Sequence, residues 1–240
     1  MMNFAEAVDA AVQDARGKGI GTLSEKTLHL ALKYYFAHDP ETHERPVGGF
    51  IADAVTEDGV IEIQTRGLSR LKPKLDAFLP VCPVTVVHPV AEEKWLLRVD
   101  EAGELLSKRR SPKHENIYSA MREIYTLREY LLHPQFSVCI CRLSLAEYIR
   151  GNDRRNRQKL DRMPLALKDT VRLHLPADYA ALLPDDLPEQ FTVRDLRALI
   201  GASEMHSGIF VNLLAKVGCL VPCGMRGRQK LWTRTDLSPK

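Results

Sequence analysis

The strongest constraint in this chain is a pair of carboxylates set to face each other across a hairpin. Residues 48–55 read GGFIADAV and residues 60–66 read VIEIQTR, joined by Thr56, Glu57, Asp58 and Gly59. An Asp-Gly step between two alternating runs is a strong hairpin signal. With the turn centred on Glu57 and Asp58, Asp53 falls opposite or nearly opposite Glu62. Side chains two apart share a strand face, so Glu62, Gln64 and Arg66 project together while Ile61, Ile63 and Thr65 face the other way. Like charges directly opposite one another destabilise a sheet. At ~5 Å and an effective dielectric of ~20 the repulsion is about 3 kcal/mol. A fold that keeps such a pair places a cation between the two groups or a proton on one of them. A divalent metal is the economical solution.

The 240 residues suffice for one large domain, or for a medium domain and a small one. The net charge of +3 permits nucleic-acid binding without requiring it. Its distribution is more telling. Residues 150–162 (RGNDRRNRQKLDR) hold six basic side chains against two acidic ones, and residues 225–234 are basic with no acid. Two such patches on a near-neutral chain point to anionic partners at defined places. The alternative is ordinary solvated surface charge. No apolar run reaches the roughly 20 residues that span a bilayer, and the start of the chain lacks the pattern of a signal peptide. The five cysteines are odd in number and scattered, which fits a reducing cytoplasm. Cys139 and Cys141, and Cys219 and Cys223, read as small strand residues rather than zinc ligands. His38, His43, His88, His114, His133 and His174 make no triad or zinc spacing.

The periodicities predict an α/β (α+β) chain whose mixed sheet is flanked by helices. A helix is expected over 1–16, and a second is capped by Ser24 and ended by Pro40. An extended piece at 43–47 and the hairpin follow, then a helix opened by Gly67 and running through Leu79. Residues 84–88 read as a buried parallel strand and 95–99 as another strand, followed by a basic loop through Lys113. A helix over 117–132 and a strand over 136–143 come next, then a polar surface excursion at 144–161. Residues 165–173 pair back onto the sheet. A first domain therefore spans 1–175 and a proline-rich linker 176–190. A second domain spans 191–240, with helices capped by Thr192 and Ser203 and stopped at Gly201 and Gly218. Two strands, at 219–223 and 229–233, complete it.

The order helix, extended piece, Asp53 strand, Glu62-Ile63-Gln64 strand, helix, buried strand resembles the restriction-endonuclease-like core of the PD-(D/E)xK nuclease superfamily. The resemblance implies that Asp53 and Glu62, with the Ile63 carbonyl, hold Mg2+ or Mn2+ for phosphodiester hydrolysis. Hard cations prefer such oxygens, and the metal activates water. Glu25 matches the glutamate that many members carry on the first helix, with His29 one turn further along the same face. Gln64 stands where the motif has lysine, so it can orient water but supplies no charge. Arg66, Lys72 or Lys74 would supply that charge instead. The last ~50 residues resemble a winged helix-turn-helix, whose recognition helix would expose Glu204, His206, Ser207, Asn212 and Lys216. Arg226, Arg228 and Lys230 would lie near the wing tip. Recognition helices enter the major groove while basic wing residues meet phosphates. Arg154, Arg155 and Arg157 would grip the same duplex. The stretch HERPVGGFIAD…IEIQTRG is also similar to hypothetical bacterial proteins without an assigned activity.

These features make a metal-dependent DNA endonuclease the leading expectation. Its expected partner is double-stranded DNA, bound as a homodimer or as part of a larger nucleoprotein assembly, away from membranes. Gln64 favours a second expectation, a catalytically inactive nuclease-like protein that binds DNA or regulates. A third, RNA processing on the same core, is disfavoured by the duplex preference of winged domains.

Overall fold

The computed structural model describes residues 2–17, 27–151 and 156–236. Helices α1 (Phe4–Gly17) and α2 (Thr27–Phe36) come first, and a 3-10 turn ends at Thr42. Strands β1 (His43–Val47), β2 (Phe50–Thr56) and β3 (Gly59–Ile63) form an antiparallel meander. The β1–β2 turn is Gly48-Gly49, both at positive φ (53° and 82°), which matches the strand twist. After β3 come a short 3-10 turn and α3 (Lys72–Phe78), which leads to β4 (Val84–Val99) lying parallel to β3.

β4 is one 16-residue strand rather than two short ones. The basic segment after it is not a loop but β5 (Leu105–Arg110), antiparallel to the far half of β4. An edge strand wetted on both faces has no reason to alternate, and its lysine and arginines block further pairing. Helix α4 (Ile117–Tyr125) is shorter than the apolar spacing predicts, because residues 126–132 form turns. Strands β6 (Phe136–Arg150) and β7 (Gln158–Leu173) then form a long antiparallel pair. The stretch expected as a surface excursion therefore lies largely in the sheet. Leu145, Ala146, Glu147 and Ile149 are buried, and the polarity that disguised the strand belongs to cations gathered around Glu147.

The seven-stranded sheet runs β1-β2-β3-β4-β6-β7, with β5 on the β3 side of β4. One face carries α2 over Ala54, Ile61, Ile63, Val87 and Leu143. The other carries α3 and α4 over Val60, Val86, Val90 and Ile140.

The chain then adds α5 (Pro176–Ala180), β8 (Gln190–Phe191), α6 (Val193–Ile200), α7 (Glu204–Lys216), β9 (Leu220–Arg226) and β10 (Gln229–Arg234). The three strands make a second sheet in the order β8-β10-β9. Thr192 and Ser203 cap α6 and α7, and Gly201 ends α6 in the left-handed conformation. Segment 176–190 is packed: Tyr179, Leu183 and Leu187 join Phe191, Leu196, Phe210 and Leu214 in the apolar cluster beneath α3 and α4. Among the described residues, no single helix is long and apolar enough to cross a membrane.

Candidate functional site

The β2–β3 ladder pairs Thr56 with Gly59, Val55 with Val60 and Ala54 with Ile61. Asp53 and Glu62 stand one step beyond its last pair. There each carboxylate takes a backbone N–H of the opposite strand. Asp53 N–H donates to Glu62 Oε1 at 3.2 Å, and Ile63 N–H donates to Asp53 Oδ2 at 2.7 Å. The hairpin thus continues through side chains where the main-chain ladder stops.

A helix from each face of the sheet supplies a nitrogen to this pair. Lys74 Nζ, from α3, lies 2.9 and 2.8 Å from the two Glu62 oxygens. His29 Nε2, from α2, lies 3.2 Å from Asp53 Oδ2 and 2.9 Å from the Ile63 carbonyl oxygen. Both of those atoms accept, so Nε2 carries the proton. Glu62 is buried, 1% exposed. Burial, then the charge of Asp53, push its carboxyl up, and Lys74 offsets only part of this. Burial pushes Asp53 up as well, but His29, the Ile63 N–H and Lys74 outweigh it and hold that carboxyl below its usual value. The pair therefore splits into an ionised Asp53 and a Glu62 that takes the first proton as pH falls.

The oxygen donors suit a hard divalent cation: two carboxylates and the Ile63 carbonyl meet at one end of the hairpin. Asp53 Oδ1 accepts no hydrogen bond among the described residues. His29 and Lys74 already stand at the other donors, and among the described residues no group of three or more His, Cys, Asp or Glu is close enough to hold a metal by itself. A bound cation would draw on the Ile63 carbonyl and would displace Lys74 from at least one Glu62 oxygen.

The remaining expected residues are dispersed. Gln64 donates its side-chain amide to the Arg66 carbonyl, which secures the turn after β3. Lys72 is paired with Glu129, 3.2 Å away, so Lys74 and not Lys72 is the cation at the carboxylates. Arg157 lies 4.0 Å from Glu147. Glu25, Arg154 and Arg155, with the expected cap Ser24, lie outside the described residues. On α7, Asn212 and Lys216 are exposed and His206 is half-buried, with Nδ1 3.1 Å from Ser203 Oγ. Ser207 is fully buried, its hydroxyl bonded to the Ser203 carbonyl, because position 207 falls on the inner stripe with Phe210 and Leu214. Arg226 is tied to Asp195 at 2.9 Å. Arg228 and Lys230 are exposed on the β9–β10 hairpin, where Lys230 lies 5.2 Å over the Trp232 ring.

Two cavities open past the end of β3, neither lined by Asp53 or Glu62. One of about 290 Å³ is lined by His29, Ile63, Gln64 and Lys159, and one of about 570 Å³ reaches α4 and the start of α7. They share Leu28, Thr65, Arg66 and Arg162. Sequence spacing carries no sign of Arg162, Lys94 or His88 at this place, because β4 and β7 bring them together only in the folded sheet.

Residues 26–174 match the family described as Domain of unknown function (DUF8091). An uncharacterized protein of Treponema pallidum (strain Nichols) is 33% identical over 222 residues, which cover 90% of this chain and 87% of that protein. No solved structure matches the chain. The family match takes in α2 through β7, and so includes the Asp53–Glu62 hairpin with the helices that supply His29 and Lys74. The chain belongs to this family, DUF8091.

Proposed function

We propose that the chain is a metal-dependent DNA endonuclease directed to duplex DNA by a winged helix-turn-helix. The observation that carries this reading is the buried Glu62, held one step past the ladder from an ionised Asp53, with Lys74 between the acid and solvent. A site with no ionic task would shed that repulsion through a single substitution. Asp53, Glu62 and the Ile63 carbonyl would hold Mg2+ or Mn2+, which when bound supplies Lewis acidity and a water of lowered pKa. Lys74 provides the positive charge that Gln64 cannot, and it arrives from α3 instead of from β3. His29 orients the Asp53 carboxylate and the Ile63 carbonyl together.

Topology supports the same reading. An αβββαβ order, with a meander followed by a crossover to a parallel strand, runs from α2 to β4, as in the restriction-endonuclease-like core. The β8-α6-α7-β9-β10 order, with β8 paired to β10, supports a winged helix. Asn212 on α7 and Arg228 and Lys230 on the hairpin are the side chains available to DNA there.

The test is nicking of supercoiled plasmid in manganese or magnesium. The reading expects metal-dependent nicking that Asp53→Asn abolishes and Arg228→Met weakens. Nicking that survives Asp53→Asn would overturn it.

One observation favours a second reading, a nuclease-like protein without catalysis that binds or regulates DNA. Glu62 is fully engaged by Lys74, and Asp53 Oδ2 by His29 and Ile63. Salt-sensitive plasmid retention without nicking in either metal is the outcome that reading expects.

A further inference from the structure

Strands β3 and β5 both pair with the same edge of β4, β3 at Val84–Val87 and β5 from Trp95 onward. Between them the edge of β4 has no strand beside it among the described residues, and the 570 Å³ cleft opens at this gap over His88, Val90 and Lys94. Its far wall is built from the starts of α4 and α7, including their caps Asn116 and Ser203. Both helices therefore turn their positive ends toward the opening.

The charge in the cleft is unbalanced. Arg66, Lys94, Lys113, Arg122 and Arg162 line it against two carboxylates, Glu115 and Glu123. Glu123 accepts from the Leu68 N–H, and Glu115 lies 4.0 Å from Lys113. Among the described residues, the Arg66, Lys94 and Arg122 side chains form no ion pair. Arg162, 16% exposed, shares the single Glu147 carboxylate with Lys159 and Arg157, at 3.5, 2.8 and 4.0 Å respectively. Burial, then the facing Arg66 charge, lower its affinity for its own proton. A concentration of cations in a half-closed cavity is costly unless an anion completes it.

His88 gives the cleft a directed polar group. The ring is 6% exposed, and its Nδ1–H donates to the Gln64 carbonyl at 2.7 Å. Nε2 has no partner among the described residues and presents its lone pair to the cleft.

We propose that this cleft binds a phosphate group, gripped by Arg66, Arg162 and Lys94, with a protonated phosphate oxygen donating to His88 Nε2 and the attached organic part lying toward α7. Guanidinium pairs match phosphate oxygens in a planar, bidentate way that single ammoniums do not. The volume is that of a small-molecule site, within the roughly 300–1,000 Å³ such sites occupy, and exceeds what a bare ion needs. The phosphate belongs either to the end of a nucleic-acid strand or to a free nucleotide. The site calls for no metal and so stands apart from the activity proposed for Asp53 and Glu62.

The experiment is calorimetric titration of the full chain with inorganic phosphate in EDTA. Saturable one-to-one binding is expected. Arg66→Met and Lys94→Met should each weaken it about tenfold, while Asp53→Asn and the wing variant Arg228→Met leave it unchanged. Arg66 is exposed, so its variant folds even if substitution of Arg162 does not. A nucleoside 5′-monophosphate and matched duplexes with and without a 5′-phosphate then identify the source. A phosphorylated duplex that outbinds its hydroxyl twin and the mononucleotide assigns the site to strand ends, and a mononucleotide that binds at least as well assigns it to a free nucleotide. No saturation by tens of millimolar phosphate, or binding indifferent to Arg66→Met and Lys94→Met, would overturn the proposal whatever the metal site does.

Discussion

Glu62 depends on one ammonium for its place inside the protein. Lys74→Met leaves a buried carboxylate beside an ionised Asp53, and we expect a loss of about 2–3 kcal/mol at pH 7, reduced from a fully buried pair because Lys74 is partly exposed. The raised value of Glu62 sets the sign of the pH dependence. Ionising it costs the native state above its folded value, and that cost fades as the pH falls and the proton is taken up. The penalty of Lys74→Met should therefore shrink on acidification, and adding Glu62→Gln should recover most of it at pH 7. Urea melts from pH 5 to 8 check this, and a penalty flat with pH would count against it. Asp53 has the opposite sign. Its carboxyl is held down, so its stabilisation is complete above the ordinary carboxylate range and is lost as pH falls through the folded value. Asp53→Asn should cost about 1–2 kcal/mol at pH 7. Melts extended into acid should show the variant converging with the wild type only below the ordinary carboxylate range.

At the level of elements, the hairpin turn is tied to the entry of β4. Gly59 has φ 116°, and a Cβ there would stand 2.3 Å from the Pro83 carbonyl oxygen. That oxygen accepts from the Val60 N–H, the first bond between β3 and the strand parallel to it. Gly59→Ala should therefore cost at least about 2 kcal/mol and loosen the Asp53–Glu62 register, which thermal melts and amide exchange at Val60 would report. Elements of this kind were legible in the sequence. Alternation and an Asp-Gly step fix a hairpin locally, and Thr192, Ser203 and Gly201 mark helix ends by chemistry that acts within a few residues. The Gly48-Gly49 turn that pairs β1 with β2 is missed in the sequence, its glycines reading as the start of the Asp53 strand, although its signal is equally local. β5 and the outer halves of β6 and β7 were not legible. The former is solvated on both faces, and the latter spend their polar side chains on Glu147, so neither shows the period of a strand. The carboxylates were likewise visible from spacing. Their division between Lys74 and His29 was less so, because it depends on which helix lies over which face.

Across the whole molecule, the two sheets share one apolar cluster. Tyr179, Leu187, Phe210 and Leu214 pack with Leu71, Ala120 and Ile124, and the Tyr118 hydroxyl donates to the Leu182 carbonyl at 3.0 Å. The large sheet and the unit of α6, α7 and the second sheet should therefore unfold together. Scanning calorimetry is expected to show one transition whose calorimetric and van't Hoff enthalpies agree, and two separable transitions would contradict a shared core. The same packing holds α7 beside the basic cleft, so a ligand there touches both units at once. The account as a whole turns on whether Asp53 and Glu62 exist to hold a cation. The most direct measurement is calorimetric titration of manganese into the purified chain, beside Asp53→Asn and Glu62→Gln. The account predicts saturable binding that each substitution abolishes. No binding by the parent chain at millimolar manganese would contradict it and leave the pair held, among the described residues, by the Lys74 ammonium and the His29 hydrogen bond alone.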